Sequence, residues 1–182
     1  NAPELPGSGG GGTSAGHGGG VVRIAAAGTV TVNGTINAEG NGSVAHGGGG
    51  AGGSIDIACR TLVGTTNGLL SAAGGAALVE GRGGGGGRIA VACDPAAQAQ
   101  AGPPKIRVSV ARGPSPADGN GELGTLYLPD TALLPPDMDN FLSVRVFGVS
   151  NWAVAGLALS NSRVTFAEPR FELTVTNELR VD

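Results

Sequence analysis

The chain has 182 residues and a net charge of −3; 36 residues are glycine, whereas only six are aromatic. So few aromatic residues exclude an ordinary globular core built on Phe, Tyr and Trp, and the lack of a strict three-residue glycine period excludes collagen. Without a block of Lys and Arg, the sequence carries no electrostatic signature of nucleic-acid binding or of a polybasic membrane anchor. Its apolar stretches are also shorter than the roughly 18–20 residues of a membrane span.

The first half of the chain contains three related strings, each preceded by a glycine run, at residues 20–26, 53–59 and 87–93. Apolar residues recur at every second position, a pattern typical of strands. The strings end 33 and 34 positions apart, and residues 32–40 align with residues 66–74 at the same offset of 34. A period of this length predicts one coil of a β-solenoid per repeat.

Stacking the coils in this register places side chains in ladders, because they alternate between the two faces of a strand. Arg23 and Asp56 then face outward as an exposed ion pair, worth at most about 1 kcal/mol. Three inward ladders are expected: Val22 with Ile55 and Ile89, Ile24 with Ile57 and Val91, and Ala26 with Cys59 and Cys93.

The two cysteines, Cys59 and Cys93, fall on neighbouring coils of this arrangement. Stacked strands lie about 4.8 Å apart, within the Cα separation that a disulfide tolerates. The spacing therefore predicts a disulfide, which fits an oxidising, extracellular compartment. Two reduced thiols buried in the ladder are the alternative.

Beyond Cys93 the regular spacing weakens. Residues 94–104, rich in Ala, Gln and Pro, predict a loop that protrudes from the solenoid. Strand patterns resume at residues 106–110, 125–128, 142–146, 163–166 and 171–175. Leu142 and Phe171 are 29 residues apart, which predicts shorter coils. Their wider cores are expected to hold Phe141, Phe147, Trp152, Phe166 and Phe171.

The sequence thus predicts an all-β, right-handed parallel β-helix with narrow glycine-rich coils first and more conventional coils after them. We divide it into glycine-rich coils (1–93), a proline- and alanine-rich insertion (94–123) and further coils (124–182), within one continuous domain. The chain begins at Asn1, and its last strand pattern runs to Asp182. We therefore expect it to be an excised or processed part of a longer protein.

Three glycine-rich stretches carry a family resemblance: residues 47–59, 83–91 and 123–128. They resemble the glycine-rich β-helical, adhesin-like regions of large bacterial surface and secreted proteins, and the likeness extends over residues 7–182. This resemblance implies a stalk or display scaffold outside the cell. It implies no catalytic residues.

Two sets of polar residues are candidate binding sites. His17, His46 and Arg82 each precede a glycine run, so they are expected on one edge of the solenoid, where a cationic row could contact an acidic sugar or an anion. Solvent-exposed turn residues are the competing interpretation, and two histidines alone make a weak metal site.

A calcium site is the second candidate, at Asp118, Asn120 and Glu122, with Asp137 and Asp139 further along the chain. Oxygen side chains spaced by glycine suit a hard cation. The spacing lacks the complete EF-hand pattern, however, and Asp-Gly and Asn-Gly are also common turn sequences.

The outward strand positions carry mostly Ala, Thr, Ser and Asn, so no catalytic residues are predicted. We expect a non-catalytic structural or adhesive module, extracellular or at the cell surface, that presents a glycan-binding surface. The first alternative is a fragment of a polysaccharide lyase or hydrolase whose substrate lies near residues 94–122. The second is a subunit that assembles end to end into a filament, because an uncapped solenoid exposes strand edges.

Overall fold

A computed structural model describes residues 2–116, 121–139 and 143–182. The protein is all-β, and its sheets are parallel. The strands of the described residues are β1 (Val21–Ala25), β2 (Thr29–Val32), β3 (Thr35–Asn37), β4 (Ser54–Ala58), β5 (Thr61–Gly64), β6 (Leu69–Ser71), β7 (Arg88–Ala92), β8 (Arg107–Ser109), β9 (Thr125–Tyr127), β10 (Asp137–Asp139), β11 (Ser143–Phe147), β12 (Asn151–Ser160), β13 (Arg163–Phe166) and β14 (Glu172–Val181). Helix α1 spans Pro95–Ala101, and a 3-10 helix spans Thr131–Leu133.

The largest sheet has six strands in the order β1-β4-β7-β9-β11-β13, and therefore extends across the predicted insertion. Three smaller sheets have the orders β2-β5, β3-β6-β8 and β10-β12-β14. Within every sheet the strands follow one another in chain order, so each new strand is added beside an earlier one. None of the helices among the described residues is long and apolar enough to span a bilayer.

The register predicted for the first half is confirmed. Ile55 pairs with Val22 on one side and Ile89 on the other, and Ile57 pairs in the same way with Ile24 and Val91. Ile55, Ile57 and Ile89 are fully buried. Burial of each such side chain contributes about 1.5–3 kcal/mol. On the opposite face the predicted ion pair also forms, with Arg23 Nε 3.5 Å from Asp56 Oδ2, but Asp56 is buried, so the pair is not fully exposed as expected.

Residues 94–104 do not form the predicted protruding loop. Helix α1 begins there because Asp94 caps it, accepting a hydrogen bond from the N–H of Ala97, and proline occupies its first position. Gln98 is buried and fixes the helix to β5: its Oε1 accepts from the N–H of Leu62 at 2.7 Å, and its Nε2 donates to the Leu62 carbonyl at 3.0 Å. The helix is thus packed on the body of the protein.

The second half has a smaller strand spacing than the predicted 29 residues. Leu126 pairs with Val146 and Ser143 with Arg163, so neighbouring strands are 20 residues apart. No sequence pattern predicts the ten-residue strand β12, which pairs with β10 and β14.

The predicted aromatic core forms only in part. Trp152 is buried, and the rings of Phe166 and Phe171 stack at 3.9 Å. Phe147, in contrast, lies on the outer face of β11, because Val144 and Val146 take the inward positions of that strand. Phe141 and Leu142 lie outside the described residues.

The glycine runs lie side by side, and we call residues 7–20, 38–53, 72–87, 110–116 and 121–124 the glycine segments. Six consecutive N–H groups of residues 48–53 donate in rotation to three neighbouring stretches. Gly48 and Ala51 donate to the carbonyls of Gly11 and Ser8, Gly49 and Gly52 to those of Arg82 and Gly85, and Gly50 and Gly53 to those of Asn41 and Ala38, at 2.7–2.9 Å. A rotation of three matches the three residues per turn of a polyproline II helix, whose own N–H groups make no internal hydrogen bonds.

This packing requires glycine because it leaves no room for a side chain between the segments. A Cβ added at Gly50 would overlap the carbonyl oxygen of His17, and one added at Gly84 would overlap that of Gly50. Tight turns account for few of the glycines: in the described part of the chain only Gly12, Gly102 and Gly148 have positive φ. Close approach of backbones is therefore the main structural reason for the composition.

Candidate functional site

The outer face of the six-stranded sheet carries a groove of about 400 Å³ at β7, β9 and β11. Tyr127 pairs with Ala90 on one side and with Phe147 on the other, so the two aromatic residues are neighbours in one outward row. Both side chains are partly buried. The groove is lined by Ala2, Pro3, Arg88, Ile89, Ala90, Thr125, Tyr127, Phe147 and Glu168.

The turn after β11 positions both an aromatic and an acidic side chain of the groove. Gly148 has a φ of 94°, and a Cβ there would overlap the Leu128 carbonyl and lie 2.9 Å from Cε2 of Tyr127. The N–H of Gly148 donates to Oε1 of Glu168 at 3.0 Å. One glycine thus lets the Tyr127 ring pack closely on the turn and anchors the Glu168 carboxylate beside it.

An N-terminal arm, residues 2–5, forms the other wall of the groove. Ser54 Oγ donates to the carbonyl of Leu5 at 2.6 Å, and Arg23 Nη1 lies 3.4 Å from Glu4 Oε1. These contacts hold the arm across the outer face, where Ala2 and Pro3 reach the groove. Arg23 therefore has two roles: it pairs with Asp56 as predicted, and it also binds Glu4 of the arm.

The lining suits binding of an amphipathic ligand such as a sugar. The rings of Tyr127 and Phe147 offer apolar surface to the C–H face of a sugar ring, while Arg88 and Glu168 can hydrogen-bond to hydroxyl groups. Glycoside cleavage generally uses two carboxyl groups on either side of the bond. Glu168 is the one carboxylate among the described residues that line the groove.

Sequence reasoning overlooked both aromatic residues of this groove. The sequence pattern identifies Tyr127 only as part of a strand and predicts Phe147 in the core. Strand parity was the available signal, because inward Val144 and Val146 require Phe147 to point outward. The pairing of Phe147 with Tyr127, however, depends on the spacing of 20 residues between β9 and β11, which no sequence pattern indicated.

The structure places His17, His46 and Arg82 at the surface of the glycine segments. His46 Nδ1 lies 3.4 Å from Glu80 Oε2, and both side chains are exposed. The carbonyls of His17 and Arg82 accept hydrogen bonds from the N–H groups of Asn41 and Gly49. Within the described residues no hydrogen bond or ion pair joins the three side chains to one another, so a shared ligand site there stays a prediction.

The structure describes only part of the predicted calcium site, since Asp118 and Asn120 lie outside the described residues. Glu122 is exposed, and its carbonyl accepts the N–H of Gly86. Asp137 and Asp139 lie in β10, away from that loop in sequence. In residues 2–116, 121–139 and 143–182, no three His, Cys, Asp or Glu side chains are grouped closely enough to hold a metal. Calcium binding stays a prediction.

Cys59 and Cys93 face each other as the third ladder predicts. Both are free thiols in the structure, with the two sulfurs 3.2 Å apart, and both are partly buried against the core. The predicted proximity of the two cysteines is confirmed. The disulfide itself stays a prediction.

The reduced protein is expected to lose stability in alkali through Cys93. Burial, the hydrogen bond to Cys59 and the charge of Cys59 raise the pKa of the Cys93 thiol from 9.0 to about 12. Because the folded-state pKa is the higher one, this stabilising effect is complete below about pH 9 and is lost as the pH rises towards 12. Urea midpoints of the reduced protein at about pH 8 and about pH 11 measure the effect. An equal decrease in the Cys93→Ser variant would contradict this assignment.

No protein-family model matches this chain, no curated protein matches it, and no solved structure matches its fold.

Proposed function

We propose that the protein is a non-catalytic structural or adhesive module of a secreted or cell-surface protein, built as one right-handed parallel β-helix. The strand orders support this arrangement, because the six-stranded sheet and the β3-β6-β8 sheet both advance in chain order. Residues 1–93 then form narrow, glycine-packed coils, and residues 124–182 form shorter coils with larger apolar side chains.

Stiffness is the physical basis of the structural role. The N–H groups of residues 48–53 all hydrogen-bond to neighbouring segments, so this part of the chain is fixed in every lateral direction. Backbones in such close contact leave no side-chain rotamers to rearrange. A rod of this kind can hold a binding surface at a fixed distance and orientation.

The adhesive role is carried by one observation, the outward pair of Tyr127 and Phe147 in the groove. Aromatic residues are scarce in this protein, since the whole chain has one Tyr, one Trp and four Phe. The placing of two of them side by side, next to Arg88 and Glu168, supports recognition of a glycan on the outer face.

A glycan array on the purified protein, followed by calorimetric titration with the strongest ligand, tests this proposal. Tyr127→Ala and Phe147→Ala are each expected to weaken binding at least about tenfold, because each removes aromatic surface worth about 1.4 kcal/mol or more. Leu78→Ala is the matched control: it removes an exposed apolar side chain of the glycine segments, outside the groove, and should leave binding unchanged.

The same ligands are then incubated with the protein and assayed for new chain ends. Binding without release of reducing or unsaturated ends supports the adhesive module. Release of such ends would overturn the non-catalytic assignment in favour of a polysaccharide-processing enzyme, and unchanged affinity in both aromatic variants would remove the groove from the proposal.

A further inference from the structure

A second and larger cleft, of about 810 Å³, lies beside the C-terminal end of helix α1. Three parts of the chain surround it: the turn between β5 and β6, the segment that leads from α1 into β8, and the start of β10. It is lined by Thr66, Asn67, Ala101, Gly102, Pro103, Lys105, Ile106, Arg107, Pro135, Pro136 and Asp137. None of these residues lines the groove that contains Tyr127 and Phe147, which we call the aromatic groove.

The charged side chains of this cleft have an excess of positive charge. Lys105, the only lysine of the chain, and Arg107 contribute two cations, and Asp137 contributes one anion. No ion pair within 4.0 Å joins any of the three to a described residue. The cleft thus concentrates basic groups that the fold itself does not neutralise.

Arg107 carries the strongest sign of an unmet interaction. Its Nε is shielded from solvent and has no hydrogen-bond partner. Among the described residues, no other buried side-chain nitrogen or oxygen lacks a partner. A buried donor without a partner is unfavourable, and an arginine fork is well matched to a carboxylate that takes two parallel hydrogen bonds. Because Arg107 also lines the cleft, a carboxylate bound there is a matching partner for its side chain.

The other surfaces of the cleft point to a ligand larger than a simple anion. Pro103, Pro135 and Pro136 provide rigid apolar walls, while Thr66 and Asn67 are neutral hydrogen-bonding groups. The carbonyl of Gly102, at the negative end of α1, already accepts a hydrogen bond from Gln98 Nε2 at 2.7 Å. This bond occupies one acceptor at the C-terminal end of α1.

We propose that this cleft binds a carboxylate-bearing saccharide, with Arg107 and Lys105 holding the carboxylate, and Asn67 and Asp137 hydrogen-bonding to ring hydroxyl groups. The prolines cover the apolar face of the sugar. The site is separate from the aromatic groove and goes beyond the proposed function, because it assigns a second surface and a charge requirement to the ligand.

Calorimetric titration with trigalacturonate, and with its methyl ester as the uncharged analogue, tests the proposal. We expect the acid to bind and the ester to bind at least about tenfold more weakly, since the ester cannot form the charge-assisted bonds. Arg107→Gln should weaken binding of the acid at least about tenfold, and Lys105→Gln by a smaller factor. Arg163→Gln, which replaces an exposed arginine outside the cleft and outside every candidate site, is the matched control and should leave the affinity unchanged.

Circular dichroism of each variant separates loss of binding from loss of fold, and Lys105 is exposed, so its replacement tests the site even if Arg107→Gln is unstable. Equal binding of acid and ester, unchanged affinity in both cleft variants, or no binding of the acid would each overturn the proposal. Tyr127→Ala should not alter trigalacturonate binding. Failure of the aromatic groove and failure of this cleft are therefore distinguishable.

Discussion

Replacement of Gly50 by alanine is expected to destabilise the protein by about 3 kcal/mol or more. Gly50 is buried among the glycine segments, donates its N–H to Asn41 and accepts at its carbonyl from the N–H of Gly75. An added methyl group would overlap the carbonyl of His17, which is backbone and cannot rotate away as a side chain could. Relief of the overlap must therefore separate hydrogen-bonded segments. Denaturant unfolding of the variant beside the parent protein measures the loss.

Two adjacent glycines provide the control for this prediction. At Gly19 an added Cβ would overlap the carbonyl of Ala38, whereas at Gly20 it would meet no atom within 4 Å. Gly19→Ala should therefore be strongly destabilising, while Gly20→Ala should be neutral or stabilising by about 0.5 kcal/mol, because alanine restricts the unfolded chain. Equal stability of the Gly50, Gly19 and Gly20 variants would show that the glycine segments are not packed as described.

Oxidation of Cys59 and Cys93 to a disulfide is expected to stabilise the protein by about 4 kcal/mol relative to the dithiol. The sulfurs are already 3.2 Å apart, so the bond can form with little movement of the backbone. The two residues are 34 positions apart, and a cross-link that closes a loop of this length removes much conformational freedom from the unfolded chain. Urea unfolding with and without reductant gives the difference, and a mass lower by two hydrogens verifies the bond.

The Cys59→Ser variant controls for effects of the reductant itself. It removes one sulfur with little change in volume and should unfold at the same urea concentration in both conditions. A native protein that keeps two free thiols after exposure to oxidant would support the alternative of reduced, buried residues. A disulfide that forms but leaves stability unchanged would indicate strain in the folded state that offsets the entropic effect.

The strands of the first half could be predicted because their signal is local. Val22, Ile24, Ile55 and Ile57 alternate with outward residues, and a shift of one position would turn every buried side chain to solvent. The offset of 33 to 34 residues between strings then fixed the pairing of β1, β4 and β7. The same register also brought Cys59 beside Cys93.

Helix α1 was missed although its signals were present. Asp94 followed by Pro95 is a favourable helix start, and Ala and Gln are good helix formers. The segment has no apolar periodicity, however, because its one buried anchor is the polar residue Gln98. Its stability depends on hydrogen bonds to Leu62 on a distant strand, which only the folded chain brings within reach.

By itself the sequence determined the β class of the protein, the strand register of the first half and the shortage of aromatic residues, because alternation and composition are local properties of the chain. The tertiary structure alone decided the rest. Glycine has no side chain to form a pattern, so the lateral packing of the glycine segments depends on contacts such as that of Gly50 with His17. Both clefts likewise depend on strand spacing and connecting segments, which place Phe147 beside Tyr127 and Arg107 in the same cleft as Asp137.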